Sequence, residues 1–377
     1  MCCILTLNYI KEKGLLPNDF TGKKTSAFAY NEIMELKSSL SKRILSWYEE
    51  NARPLPWRRD QDPYHVWISE IMLQQTRIET VIPYYERFLD TLPDIASLAS
   101  VSDDELLKLW QGLGYYSRAK NLKKAAIAIM EKYQGTFPED YEDIRSLPGI
   151  GPYTAGAIAS ICFDQKTPAI DGNVLRVFGR FLEEERNTAD VSFKKDLYEA
   201  LVRIYPEKAG DFTSALMEIG EILCLPNTLP LCEECPLKKD CLSYKHRSTL
   251  EYPKMPEKKK ARREERSIFL LLHKNTAAIG KRGDSGLLSG LYEFPNEEGR
   301  FSEEEILNRF KGLQPVSSRK AGSYVHQFSH IHWDNEVWII RCGKEDLYEW
   351  MSLKDIEEKA ALPSAFAKCM EYLKEEL

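Results

Sequence analysis

The chain has 377 residues, 43% of them apolar, and a formal net charge of −6 with a sequence pI near 5.7. That length and apolar content suit two globular domains with real cores, and no apolar run approaches the length that spans a bilayer. The acidic balance argues against a protein that coats nucleic acid, while leaving room for a local basic binding face.

Residues 1–34 show no convincing periodicity. They are expected to be a disordered extension, or the product of an upstream start with Met34 as the true first residue. The opening MCCILTLNYIKEKG has a short apolar patch with no basic region ahead of it, a poor signal peptide, so a cytoplasmic location is expected. From there to Cys241 apolar residues recur at helical spacing in Leu36 to Tyr48, Val66 to Ile78, Val81 to Leu89, Asp104 to Trp110 and Leu122 to Tyr133. Proline and glycine breakers fall between these runs, and alternating β-branched stretches are scarce. Residues 35–241 are therefore expected to be all-α.

Within that region Trp67 to Thr76 reads WISEIMLQQT, apolar apart from Glu70, Gln74 and Gln75. Glu70 and Gln74 share a helix face. A carboxyl among Trp67, Ile71 and Met72 would be partly desolvated, which suits a general acid; the alternative is a glutamate at the rim of a core helix. The amides could read base edges or fill a gap in a base stack. Gln111 to Asn121, QGLGYYSRAKN, places Tyr115 and Tyr116 after a glycine turn beside Arg118 and Lys120. Aromatic and basic residues together suit strand wedging and phosphate contact, with core tyrosines as the alternative.

Residues 147–160, LPGIGPYTAGAIAS, look like a backbone clamp for a phosphate. Pro148, Gly149 and Gly151 suit a tight turn, and the amides of the helix start that follows favour an anion. Asp171 stands just ahead of an apolar helical run, where the helix dipole should keep it ionised. An ordinary helical corner with an N-cap aspartate is the alternative. Two carboxylates in different environments suggest cleavage of a glycosidic bond, one protonating the leaving group and one stabilising positive charge on the sugar. A nucleobase leaving group must first quit its stack.

Cys224, Cys232, Cys235 and Cys241 crowd into one loop, whereas Cys2, Cys3, Cys162, Cys342 and Cys369 are scattered. Four clustered thiols in a reducing compartment point to a metal centre. A single C-x2-C knuckle favours a [4Fe–4S] cluster over structural zinc. Residues 242–266 are expected to be a charged linker; the stretch 253–266, PKMPEKKKARREER, could alternatively be an arm that contacts phosphates. Beyond it the period changes. Ser267 to His273, Ala277 to Lys281, Gly322 to Phe328 and Glu336 to Cys342 read as strands, and Glu303 to Phe310 and Ala365 to Leu373 as helices, giving a second, α+β domain over 267–377.

Together these motifs resemble the endonuclease III superfamily of DNA glycosylases. SEIMLQQT, GLGYYSRAKNL, LPGIGPYTAGAI and DGNVLRV are close to the A/G-specific adenine DNA glycosylases of the MutY type. The resemblance is strong over 35–241 and weaker over 267–377, where the family carries a domain similar to the Nudix (MutT-like) fold. It implies a multidomain protein: an all-α helix-hairpin-helix glycosylase region with a four-cysteine iron–sulfur loop, then an α+β Nudix-like domain. Glu70 then matches the general acid that protonates adenine, and Asp171 the carboxylate that stabilises the cationic sugar. Tyr153 and Asn173 match supporting active-site positions, Gln75 the glutamine inserted into the stack, and Tyr115 the wedge. Gln74, Gly149, Gly151 and Arg118 fall among the expected DNA contacts, and Phe328, Ser329 and His330 match the loop that contacts 8-oxoguanine. The implied substrate is adenine opposite 8-oxoguanine or guanine in duplex DNA, and the chain is expected to act as a monomer.

Bifunctional glycosylase–lyases of the superfamily carry a lysine where this chain has Tyr153, and tyrosine cannot form a Schiff base. A monofunctional enzyme is implied. An oxidised-pyrimidine glycosylase–lyase and a non-catalytic iron–sulfur DNA-binding module are the alternatives. The first cysteine gap is one residue longer than the family's usual spacing. The 287–310 region lacks the carboxylate helix of a Nudix hydrolase, so base recognition without nucleotide hydrolysis is expected. His326, His330 and His332 are read as lesion-contact and packing residues in preference to metal ligands.

Overall fold

The computed structural model describes residues 37–257, 260–283 and 285–377; the extension 1–34 lies outside them. The helices in chain order are α1 (Lys37–Asn51), α2 (Pro63–Leu73), α3 (Ile78–Thr91), α4 (Ile95–Ser100), α5 (Asp103–Leu109), α6 (Ser117–Tyr133), α7 (Tyr141–Ser146), α8 (Pro152–Phe163), α9 (Gly172–Leu182), α10 (Val191–Ile204), α11 (Ala209–Glu218) and α12 (Leu242–Lys245). Local chemistry sets their starts. Asp62, Ser102, Asp140, Asp171 and Asp190 each accept a first-turn amide, and Pro63 and Pro152 occupy first helical positions where no amide is needed. Asp94 and Ser97 form a reciprocal capping box.

The chain clusters into two compact units, one from 37–52 with 170–256 and one from 53–169 with 257–377. In the first, Leu40 and Ile44 of α1 pack with Val174 and Phe178 of α9, Phe193 and Leu197 of α10, and Phe212 and Leu216 of α11. In the second, the helical core gathers Trp67, Phe88, Trp110, Leu122, Ile144 and Ile158. The same unit holds the C-terminal sheet. One boundary between the units therefore falls at 256/257, inside the stretch expected as linker, and the helical region is itself divided at 52/53 and 169/170.

The sheet comprises β1 (Arg262–His273), β2 (Thr276–Lys281), β3 (Tyr292–Glu293), β4 (Asn296–Glu298), β5 (Pro315–Gln327), β6 (Ile331–Cys342) and β7 (Glu349–Ser352). Its order is β3-β2-β1-β6-β5, with β4 on β1 and β7 on β2. β1 and β6 run parallel from Arg262↔Ile331 to Leu272↔Arg341, whereas β5 and β6 are antiparallel. The remaining helices are α13 (Glu303–Arg309), α14 (Leu353–Lys359) and α15 (Ala367–Glu376). One sheet face packs Ile268, Leu270 and Val337 against Ile356, Cys369 and Leu373, and the other packs Phe269, Leu271 and Ile340 against Ile306 and Phe310. Coverage of both faces explains why Ile268 to Leu272, IFLLL, is uniformly apolar. The expected linker is shorter than anticipated, because its last residues, from Arg262, already pair with β6.

Candidate active site

Glu70 lies on α2, only 5% exposed, among Trp67, Ile71 and Met72 of the core. The Tyr153 hydroxyl, from the first turn of α8, donates to its Oε2 at 2.6 Å. The apolar surroundings of Glu70 follow from sequence spacing, whereas its tyrosine partner, over eighty residues later, does not. The contact holds because α8 is built of small residues. Thr154, Ala155, Gly156, Ala157 and Ala159 are buried, and a Cβ on Gly156 would lie 2.7 Å from the Pro168 carbonyl.

α7 and α8 form a helix-hairpin-helix corner through 147–151. Gly149 takes φ +77°, a conformation that favours glycine, and a Cβ there would meet Asn121 at 2.5 Å. Gly151 differs from expectation. Its φ of −90° needs no glycine, but it caps α8 without a side-chain acceptor and faces open space, so an anion can approach the helix amides closely.

The run expected to continue helically to Ile78 stops at Leu73. Gln74 leaves the helix, and the exposed Gln75 sits at φ +59°. Gln74 Nε2 donates to Thr154 Oγ1 at 3.4 Å. The break is held by Arg118, which the sequence placed among the expected DNA contacts. Its side chain is buried, 8% exposed, and donates to the carbonyls of Ile71, Met72 and Gln74 at 2.7, 2.9 and 2.9 Å. On the other side it donates to the Leu113 and Gly114 carbonyls at 3.1 and 3.0 Å. A cation thus caps the C-terminal end of α2 and joins it to the 112–115 loop. Burial pulls its pKa down to about 10. In that loop Gly112, Gly114 and Tyr115 all have positive φ, and the Tyr115 ring is 47% exposed whereas Tyr116 is core.

In the first unit, Asp171 caps α9, its Oδ1 accepting the Val174 amide at 2.7 Å. Burial pushes its carboxyl above the usual carboxylate range, opposed by the Val174 and Asn173 amides and by Arg176. The helix dipole accounts only for the opposing part; burial outweighs it. Asn173 Oδ1 accepts from Arg176 at 2.6 Å, and Arg176 also donates to the Gly220 and Cys224 carbonyls at 2.8 and 2.7 Å. Gly220 is required there, since a Cβ would meet the Asn173 side chain at 2.5 Å.

Cys224, Cys232, Cys235 and Cys241 line one cavity with Val177, Phe181 and Leu237. Arg180 donates to Cys224 Sγ at 3.3 Å. Burial disfavours the thiolates, pushing Cys235 up to about 12 and raising Cys232 and Cys241, and the thiols also oppose one another's ionisation. Such a donor set fits a cationic centre that would neutralise it. Among the described residues, no three or more His, Cys, Asp or Glu side chains converge on the position of a single metal ion, so the four thiols surround their cavity rather than one point. The long first gap is closed at its base, Leu231 N donating to the Leu223 carbonyl at 2.8 Å, so the extra length loops outward with Leu229 exposed.

Phe328, Ser329 and His330 form the turn between β5 and β6. Ser329 and His330 are exposed; Phe328 packs edge-on against Trp333 at 4.9 Å and His326 at 4.5 Å. Glu303, Glu304 and Glu305 occupy the first turn of α13, where Glu305 completes a capping box with Ser302.

Residues 68–201 match the HhH-GPD superfamily base excision DNA repair proteins, and residues 267–372 match the NUDIX domain. The adenine DNA glycosylase of Buchnera aphidicola subsp. Schizaphis graminum is 38% identical over 294 residues, covering 77% of this chain and 84% of that protein. The adenine DNA glycosylase of Buchnera aphidicola subsp. Acyrthosiphon pisum is 34% identical over 350 residues, covering 90% and 99%. A thermostable thymine-DNA glycosylase of known structure is 29% identical, with a TM-score of 0.52 over 58% of this chain and 99% of that one.

Proposed function

This chain belongs to the adenine DNA glycosylases of base excision repair, and on that premise we propose that it hydrolyses the N-glycosidic bond of adenine mispaired with 8-oxoguanine or guanine in duplex DNA, leaving an abasic site. The observation that carries the reading is the buried Glu70 held by the Tyr153 hydroxyl beside the hairpin clamp.

The clamp amides of Gly149, Gly151 and Tyr153 grip a phosphate, Tyr115 wedges the strand, and Gln75 fills the stack that the extruded adenine leaves. Glu70 donates a proton to the leaving base, and Asp171 as carboxylate stabilises the oxocarbenium-like sugar as the bond breaks. Glu70, now ionised, takes a proton from the water that attacks the sugar. Tyr153 holds the Glu70 carboxyl in one orientation, and Asn173 and Arg176 hold the turn that carries Asp171. With tyrosine at position 153 no Schiff base forms, so the strand stays intact. Ser329 and His330 contact the opposite base. Cys224, Cys232, Cys235 and Cys241 would hold a [4Fe–4S] cluster, whose bound form supplies a structural crosslink between α11 and α12. The protein works as a monomer in the cytoplasm.

The test is excision from duplexes carrying adenine opposite 8-oxoguanine, guanine or thymine. Cleavage of the first two with the thymine pair spared supports the proposal. Equal cleavage of all three defeats it, as does borohydride trapping of the enzyme on DNA.

A further inference from the structure

We propose that Gln111 is a positioning residue that carries recognition of the base opposite adenine from the C-terminal sheet to the wedge loop, with Lys108 as its support. This rests on the mispair reading above. Gln111 immediately precedes Gly112, and its Nε2 donates to the Leu362 carbonyl at 2.9 Å. Lys108 Nζ donates to the Glu357 and Ala360 carbonyls at 2.5 and 3.0 Å, a cation at the C-terminal end of α14. Burial lowers the Lys108 pKa, so these bonds lie in a partly dry contact. Around them Leu291 and Ala361 of the sheet region are buried in the same core as Leu107 and Trp110. Lys281 pairs with Asp104, and a Cβ on Gly290 would lie 2.7 Å from Lys120 Nζ.

The series of contacts is continuous in both directions. Toward the lesion-reading turn, Phe328 packs on Trp333, and Trp333 reaches Phe366 at 6.4 Å, four residues after Leu362. The Tyr324 hydroxyl on β5 donates to the Ala365 carbonyl at 2.6 Å. Toward the reacting base, the Tyr84 hydroxyl fixes the Gln111 carbonyl at 2.8 Å, and Arg118 ties the Leu113 and Gly114 carbonyls to the end of α2. A shift of the 360–366 segment on engaging 8-oxoguanine therefore reaches Tyr115 through one side-chain amide.

The experiment is single-turnover excision of adenine opposite 8-oxoguanine and opposite guanine by the full chain. Gln111→Glu keeps the shape and removes the donor; Lys108→Met removes the supporting bonds. Each is expected to slow the 8-oxoguanine duplex roughly tenfold and leave the guanine duplex within about twofold, the scale of ordinary coupling between sites. Adding Ser329→Ala to Gln111→Glu is expected to give no loss beyond the larger single effect. Equal slowing of both duplexes, or additive losses in the double variant, overturns the coupling. A wild-type chain that cleaves neither duplex defeats the mispair reading and this inference with it, whereas a preference for 8-oxoguanine that survives Gln111→Glu and Lys108→Met intact defeats the inference alone.

Discussion

Glu70 and Tyr153 share a hydrogen bond of 2.6 Å, and the two side chains should fail differently when altered. Glu70→Gln removes the proton donor while keeping shape, so single-turnover excision should fall by about 10²–10⁴-fold with duplex binding retained. Tyr153→Phe leaves the acid in place but unsteered, and a smaller loss is expected in the same assay. Asp171 makes a prediction about stability. Its carboxyl is raised by burial, so the folded state disfavours the anion relative to the unfolded chain. The penalty is absent at acid pH, grows as pH rises above the ordinary aspartate value of about 3.9, and is complete above the raised folded value. Asp171→Asn keeps a good helix cap, so it should melt higher than wild type at neutral pH, with the gain vanishing in acid, and should lose excision. A thermal midpoint independent of the substitution at every pH would contradict this. Residue positions were largely legible in the sequence, because the Asp171 cap and the Glu70 face follow from spacing. The balance between dipole and desolvation was not, since depth depends on residues far along the chain.

Among elements, the helices were readable where periodicity and caps agree, as at α5, whereas α6, which has no side-chain cap at its start, begins at Ser117 ahead of the Leu122 that periodicity marks. The break after Leu73 was not, because the side chain that holds it, Arg118, comes over forty residues later. β3, β4 and β7 were missed for a related reason: two to four residues carry too little alternation, and their partners define them. The least yielding constraint lies at Gly156 of α8. A methyl group there would sit 2.7 Å from the Pro168 carbonyl, a backbone atom that cannot swing aside. Gly156→Ala should therefore destabilise the protein by about 1–3 kcal/mol, measurable by denaturant unfolding. An unchanged midpoint would show that the 164–169 segment yields.

For the whole molecule, local periodicity separated helical from sheet regions and could not show that contacts group 53–169 with the sheet and 37–52 with 170–256. Compact units depend on long-range packing, of which the sequence pattern is only half. The four-cysteine loop was legible from spacing alone, and Cys235→Ser should lose both iron and sulfide content and the visible thiolate-to-iron absorption while lowering the melting temperature. An unaltered metal content would remove Cys235 from the ligand set. In this chain of net charge −6, the Arg118 guanidinium is turned to backbone carbonyls of the 71–74 and 113–114 segments. A guanidinium wrapped in carbonyls displaces no condensed counterions from a duplex. Arg118→Met should therefore weaken DNA binding by loosening two loops while leaving the slope of log affinity against log salt unchanged, where loss of a true phosphate contact would flatten it by about 0.9.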